Sequence, residues 1–218
     1  MDVSRIVLLP IVATAMVWVT GPATAEPPPT QQITTVAVGS KGQAVNGYQE
    51  TPPEGSVPVV NCSTPSPSAV ADNVYACSPS AAGAATCWPS TPGSLLCVDN
   101  PWDQRLHRVA YNGQLQPVQP PALPEPFALV LADGTRCLLR NGGAWGGRDD
   151  GFVGAYWCGN SGVNPAVLCL PSEQSCIDRS GPAWTVKVGQ LGAPDAHLPP
   201  PQVHGVVSAW FAGDRIPG

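Results

Sequence analysis

Lysine is scarce in this chain of 218 residues, and charged residues of either sign are few. Only Lys41 and Lys187 accompany the arginines, and the 15 acidic residues outnumber the 10 basic ones. Proteins that bind nucleic acids carry a basic patch or stripe that neutralises phosphates. The net charge of −5 therefore argues against a nucleic-acid partner.

Motifs typical of metal sites and hydrolases are also missing. No Cys-x-x-Cys pair occurs, and the three histidines (His107, His197 and His204) stand at no spacing typical of zinc ligands. The sequence GRDDG supplies only part of a calcium-binding loop, which needs oxygen ligands at alternating positions. No Gly-x-Ser-x-Gly nucleophile motif is present. We therefore predict no metal and no other cofactor.

One short stretch, CGNSG, resembles part of the serine motif of chymotrypsin-like proteases. His107, Asp133 and Ser161 even follow one another in the order of that family's catalytic residues. However, the residues around His107 do not match the family's histidine motif, and Asn160 and Val163 interrupt the serine motif. We predict a turn here and assign no catalytic residue.

A single apolar run is long enough to suggest contact with a membrane. It covers residues 6–20, is interrupted by Pro10, and precedes an Ala-x-Ala pattern at residues 23–25. A membrane anchor is the alternative, but a spanning helix needs about 20 apolar residues. We predict a signal peptide at residues 1–25, a mature chain that begins at Glu26, and no transmembrane segment after cleavage. The protein is then secreted or held in the cell envelope.

Cysteine is well represented in the predicted mature chain. An even number of cysteines behind a signal peptide indicates a disulfide framework, with free thiols or a metal site as alternatives. The eight cysteines are Cys62, Cys77, Cys87, Cys97, Cys137, Cys158, Cys169 and Cys176.

Two stretches of the chain resemble each other. VYACSPSAAGAATCWPSTPGSLLCVDNPW at 74–102 and AYWCGNSGVNPAVLCLPSEQSCIDRSGPAW at 155–184 share an aromatic-Cys step, Cys-x-Pro-Ser, Cys-apolar-Asp and a following Trp. We interpret them as an internal duplication with four cysteines per copy, although a bias toward Pro, Ser and Ala could produce the likeness by chance. Pairing within copies is then favoured, as 62–77, 87–97, 137–158 and 169–176.

The remaining pattern is that of an all-β protein. Short runs rich in β-branched and aromatic residues alternate with Pro, Gly, Asn and Ser, and Asp133-Gly134 is a hairpin signal. We predict a disulfide-stapled, internally duplicated β-meander that forms a sandwich or barrel, with a Pro-rich N-terminal extension. The predicted segments are a signal peptide (1–25), the extension (26–58), a first four-Cys β unit (59–112), a Pro-rich linker (113–126) and a second four-Cys β unit with a C-terminal strand (127–218).

The glycine-rich stretch RNGGAWGGRDDG at 140–151 is the predicted binding loop. Cys137 and Cys158 are separated by 21 positions, against 15 for Cys62 and Cys77, so the second copy holds six more residues there. The groups offered to a ligand would be Arg140, Trp145, Arg148, Asp149 and Asp150. A mobile hairpin tip is the competing interpretation.

The other tryptophans of the copies and the C-terminal strand are predicted to pack inside the protein. Trp88 and Trp157 adjoin cysteines, and Trp184 and Trp210 lie in apolar strands. Trp145 differs because glycine pairs flank it and leave little apolar cover.

The order GTRCLLRNGGAWGGRDDG, GAYWC, AWTVKVG and AWF behind a signal-like segment resembles small exported proteins of mycobacteria and related actinobacteria. That group has no assigned activity, so the resemblance implies export and carries no catalytic residue. We expect a binding or interaction module for a protein or glycan of the cell envelope. An envelope hydrolase and a protease inhibitor are the alternatives, and the hydrolase would need a histidine beside a carboxylate or Ser161.

Overall fold

The computed structural model describes residues 26–53, 55–159 and 165–214. The predicted signal peptide and Ser161 lie outside these residues. Within them, two sheets each close on themselves, and the only helical element is a 3-10 turn at Ser80–Ala82. The prediction of an all-β, disulfide-stapled fold is confirmed, and its sheets are barrel-like.

The first barrel is formed mainly by the N-terminal copy. Its strands pair in the order β7, β3, β4, β5 and β6, and β6 closes the ring onto β7. The parallel pairing of β3 with β7 completes the ring, whereas its other pairs are antiparallel. These strands are β3 (Val59–Pro65), β4 (Tyr75–Ser78), β5 (Cys87–Pro89), β6 (Ser94–Val98) and β7 (Arg105–Tyr111).

The second barrel is antiparallel throughout its ring. Its strands pair in the order β14, β8, β9, β10, β11 and β13, and β13 returns to β14, while β12 pairs with the Thr185–Val186 end of β13. These strands are β8 (Ala128–Leu131), β9 (Arg136–Leu139), β10 (Val153–Cys158), β11 (Pro165–Cys169), β12 (Ile177–Asp178), β13 (Thr185–Gln190) and β14 (Gln202–Ala212). The Asp133-Gly134 hairpin joins β8 to β9 as predicted, with Gly134 at a φ of 83°.

The segment predicted as a Pro-rich extension contributes to both barrels. Its strand β1 (Gln31–Thr35) pairs in parallel with β14, and β2 (Gln49–Glu50) pairs in parallel with β7. Between them, Ala37 and Val38 are fully buried. The segment is therefore part of the packed structure, because short runs between its proline-rich stretches pair with free edges of β14 and β7.

Three apolar clusters hold the molecule together. One fills each barrel, and the third joins the barrels, with residues such as Trp88 and Leu106 from the first packed against Phe127 and Ala128 from the second. The Trp88 indole N–H also donates to the Gly213 carbonyl at 2.8 Å. The two copies therefore share a core across their boundary.

The disulfides pair in the favoured arrangement, within each copy. Cys62–Cys77 links β3 to β4, and Cys137–Cys158 links β9 to β10 at the corresponding place in the second barrel. Cys87–Cys97 joins β5 to β6, and Cys169–Cys176 joins the end of β11 to the approach to β12. Each bridge restricts the unfolded chain, with a typical stabilisation of about 2–4 kcal/mol.

Candidate functional site

The glycine-rich loop at 140–151 is fixed at both ends rather than being a free hairpin tip. The Cys137–Cys158 bridge and a hydrogen bond from the Arg140 amide to the Ala155 carbonyl close its base. Further along, Gly147 and Gly192 exchange two backbone hydrogen bonds of 2.9 and 3.0 Å. The loop is thereby attached to the connection between β13 and β14.

Two glycines of this loop are required for close packing. A side chain on Gly146 would collide with the carbonyl oxygen of Gly192, and one on Gly142 would collide with the Ser80 hydroxyl. Gly142 also has a φ of 66°, which side chains other than glycine adopt at a cost. The glycine content thus reflects contact with neighbouring backbone, in addition to turn formation.

Arg148 was predicted to be offered to a ligand, and the structure corrects this. Its side chain is fully buried and forms a bidentate ion pair with Asp150, with the shortest N–O distance at 2.6 Å. The remaining donors reach the carbonyl oxygens of Gln190, Leu198 and Pro199 at 3.0, 3.3 and 2.9 Å. Arg148 therefore clamps the 190–201 connection onto the loop, because buried backbone acceptors need donors.

The two aspartates of the loop have different surroundings. Asp150 is held by Arg148, whose guanidinium lowers the pKa of this carboxyl below its usual range. Asp149 is exposed and accepts a contact from the Nδ1 atom of His197 at 2.9 Å. Of the pair, only Asp149 is directed away from the clamp.

Trp145 is half-buried and held in one orientation. Its indole N–H donates to the Gly142 carbonyl at 3.0 Å, and the Arg140 guanidinium lies 5.1 Å from its ring centroid. Its six-membered ring occupies the space that a side chain on Gly154 would take. Trp145 is thus a wall of the site with a fixed position.

Trp157 is the residue that sequence reasoning missed. It was predicted to pack inside, but 40 % of it is exposed. Its neighbours Tyr156 and Cys158 are buried in the second barrel, so Trp157 must point outward because side chains alternate along a strand. The inward direction of the disulfide-bonded Cys158 was the available signal.

These two indoles line one groove together. Their rings meet edge to face, with centroids 6.2 Å apart and an interplanar angle of 88°. The groove encloses about 430 Å³ and has no ionisable side chain in its lining. It is lined by Ala144, Trp145, Gly146, Trp157, Ala166, Leu191 and Gly192.

Each histidine lies beside a carboxylate. His197 faces Asp149, the His204 Nδ1 atom is 3.5 Å from Asp133, and the His107 Nδ1 atom is 2.7 Å from Asp99. Within the described ranges, no serine or threonine hydroxyl is hydrogen-bonded to a histidine ring. The acid–base requirement of the hydrolase alternative, a histidine beside a carboxylate, is met, while the described residues bring no hydroxyl nucleophile to a histidine ring.

Two further observations concern the part of the chain that the structure describes. No helix there has the length and apolar character needed to cross a membrane. No group of three or more His, Cys, Asp or Glu side chains there could hold a metal ion.

Comparison with known proteins identifies no relative. No family model, curated protein or solved structure matches the chain.

Proposed function

We propose that the chain is an exported binding module of the cell envelope or medium, and that the groove lined by Trp145 and Trp157 binds a neutral sugar ring of a glycan. The exposed indole of Trp157, set at a right angle to the fixed indole of Trp145, carries this proposal. The four disulfides and the signal-like residues 1–25 support export. The resemblance to exported actinobacterial proteins belongs to the same proposal.

The lining of the groove favours a sugar over an apolar peptide side chain. A sugar ring has an apolar C–H face, which stacks on an indole, and hydroxyl groups at its rim, which need polar partners. Glycine backbone at Gly146 and Gly192 forms much of the remaining wall, and Leu191 is the one large aliphatic residue in it. A groove for a leucine or phenylalanine anchor would instead be lined by branched aliphatic side chains.

Charge and rigidity point to the same class of ligand. Because no ionisable side chain lines the groove, a charged ligand would lose hydration there without gaining an ion-pair partner. A neutral ligand does not have this cost. The Arg148 clamp and the Gly147–Gly192 hydrogen bonds hold the walls before any ligand arrives. Preformed walls lower the ordering cost of binding, which matters for a small ligand with few contacts.

The test is a screen of the oxidised mature chain, starting at Glu26, on an array of neutral and acidic oligosaccharides, followed by calorimetric titration of the strongest neutral binder. Trp157→Ala should lower the association constant at least about tenfold, since a stacked ring supplies much of such binding energy. The matched control is Trp102→Ala, because Trp102 also pairs edge to face with another indole, Trp210, and lies outside the groove.

Three outcomes decide the proposal. Binding of a neutral glycan that is lost in Trp157→Ala and kept in Trp102→Ala supports it. Binding of acidic glycans alone, or equal loss in both variants, overturns the groove assignment. Absence of any glycan binding, together with capture of a protein through Trp157, would make the occupant a peptide and overturn the sugar.

A hydrolase is the second candidate, and one contact favours it. Asp149 orients the imidazole of His197 through Nδ1, at a surface groove of about 630 Å³ that also includes Phe152 and Pro199. If this pair acts as a general base, His197→Ala should abolish hydrolysis of glycosidic or ester substrates by the mature chain. Hydrolysis that persists in His197→Ala, or that wild type never shows, removes this candidate.

A further inference from the structure

His107 of the first barrel contacts a turn that carries the glycine-rich loop. Its Nε2 atom lies 3.0 Å from the carbonyl oxygen of Ala82, the last residue of the 3-10 turn. Its Nδ1 atom lies 2.7 Å from the Asp99 carboxylate, which is out of line with the N–H bond, so the contact acts as an ion pair more than a directed hydrogen bond. Gly83 packs against the same ring.

This 3-10 turn also supports the glycine-rich loop of the second barrel. The Asn141 side-chain amide donates to the Ser80 carbonyl at 3.4 Å, and the Ser80 hydroxyl fills the space beside Gly142. The carbonyl of Gly142 is the acceptor for the indole N–H of Trp145. A continuous series of contacts therefore runs from His107 to one wall of the groove.

Only a protonated ring satisfies both neighbours of His107. A neutral imidazole has one N–H, so one of its nitrogens would present a lone pair to an oxygen acceptor. The imidazolium donates toward Asp99 and Ala82 together. Deprotonation therefore removes the ion pair with Asp99 in either tautomer, and with it the contact that fixes the ring beside the turn.

We propose that His107 is a positioning residue for the Trp145–Trp157 groove, whose protonated ring holds the turn on which the glycine-rich loop rests. This rests on the proposed function where it concerns ligand affinity, but not where it concerns the position of Trp145. Loss of the proton then loosens the loop and lowers the affinity of the groove, by about two- to tenfold.

The surroundings of His107 agree in sign. The Asp99 carboxylate raises the pKa of His107 above its ordinary value, desolvation by burial opposes this, and the Ala82 carbonyl adds to the increase. Among the described residues, the other charged groups nearby are Arg108, the next residue of β7, and Glu50, which binds Arg108 at 2.6 Å. A raised pKa means that the contact is complete at acidic pH and is lost as the pH rises through the folded-state pKa.

The experiment follows the indole N–H signal of Trp145 by NMR while the imidazole of His107 is titrated, without any sugar present. The two should change together in the wild type, and the indole change should vanish in His107→Gln. Asp99→Asn should move both changes to lower pH. His204→Gln is the control, since His204 contacts Asp133 on β8–β9 and not the turn.

The outcome distinguishes this inference from the sugar proposal. A Trp145 signal that stays constant through the titration of His107 in the wild type overturns the positioning role, even if sugars bind. A coupled signal in a protein that binds no neutral sugar supports the positioning role and overturns only the proposed function. If His107→Gln does not fold, the wild-type and Asp99→Asn titrations still decide.

Discussion

The indole of Trp145 meets that of Trp157 edge to face, at 6.2 Å and 88°. Trp102 and Trp210 form a second pair of nearly the same geometry, at 5.9 Å and 87°. Their positions differ, because Trp102 and Trp210 pack against the core shared by the barrels, whereas Trp157 is exposed beside a groove. Exposure of a large aromatic side chain next to a preformed groove is what makes the first pair a binding-site candidate.

The two indoles of the groove should differ in their effect on stability. Trp145→Ala removes a side chain packed on Gly154 and bonded to Gly142, and we expect it to lower the free energy of unfolding by about 2–3 kcal/mol. Trp157→Ala should lower it by less than about 1 kcal/mol, because much of the side chain faces solvent. Urea unfolding of both variants measures this, and equal losses would mean that Trp157 is a core residue.

Arg148 should be a structural residue despite its position in the candidate loop. Arg148→Ala leaves the Gln190 and Pro199 carbonyls and the Asp150 carboxylate without their donor, so we expect a loss of about 2–4 kcal/mol. Arg140→Ala is the control, since Arg140 is exposed, and should lose less than about 1 kcal/mol. A stable Arg148→Ala protein with impaired ligand binding would restore Arg148 as a contact residue.

The same ion pair predicts a dependence of stability on acid. Arg148 lowers the pKa of Asp150, so the carboxylate stabilises the fold above its unfolded-state pKa. This stability is lost as the pH falls through the lowered folded-state pKa. Asp150→Asn should therefore be less stable than wild type at neutral pH, with the difference shrinking in acid, as urea unfolding across that range would show. A constant difference would contradict the linkage, and Asp72→Asn, at another exposed site, serves as the control.

Gly146 tests whether the glycines of the loop serve close packing. Gly146→Ala should lower the free energy of unfolding by about 2 kcal/mol or more, because the added methyl group would overlap the Gly192 carbonyl. Gly181→Ala is matched to it, as nothing lies within 4 Å of the added carbon and its φ is not positive. The control should be neutral or slightly stabilising, since alanine restricts the unfolded chain. Equal effects in thermal unfolding would contradict the packing argument.

Local patterns were enough to predict the all-β class and the disulfides of this fold. Cysteine spacing within two similar copies predicted all four bridges, because each joins neighbouring parts of the chain. Turn chemistry at Asp133-Gly134 predicted the β8–β9 hairpin. Barrel closure was beyond local patterns, since in the second barrel it depends on long-range pairs such as Trp210 with Ala128 between β14 and β8.

The glycine-rich loop was singled out from the sequence, but the side chain of Arg148, one of its predicted contact residues, is buried. Trp145 does line a groove, but the backbone carbonyl partners of Arg148 lie 42 to 51 residues away and no local pattern reveals them. Trp157 could have been found from strand alternation, given an inward Cys158. Long-range partners decide which polar side chains are buried. Predictions from local sequence therefore place too many polar side chains at the surface.

The most direct test of the groove as the glycan-binding site uses the indole N–H signals of the mature chain as separate reporters. On addition of a neutral oligosaccharide selected by the array, we predict that the NMR signals of Trp145 and Trp157 shift. Those of Trp88, Trp102, Trp184 and Trp210 should stay in place, because none of them lines the groove. A saturable shift at Trp102 or Trp210, or binding with no change at Trp157, would contradict the groove as the site.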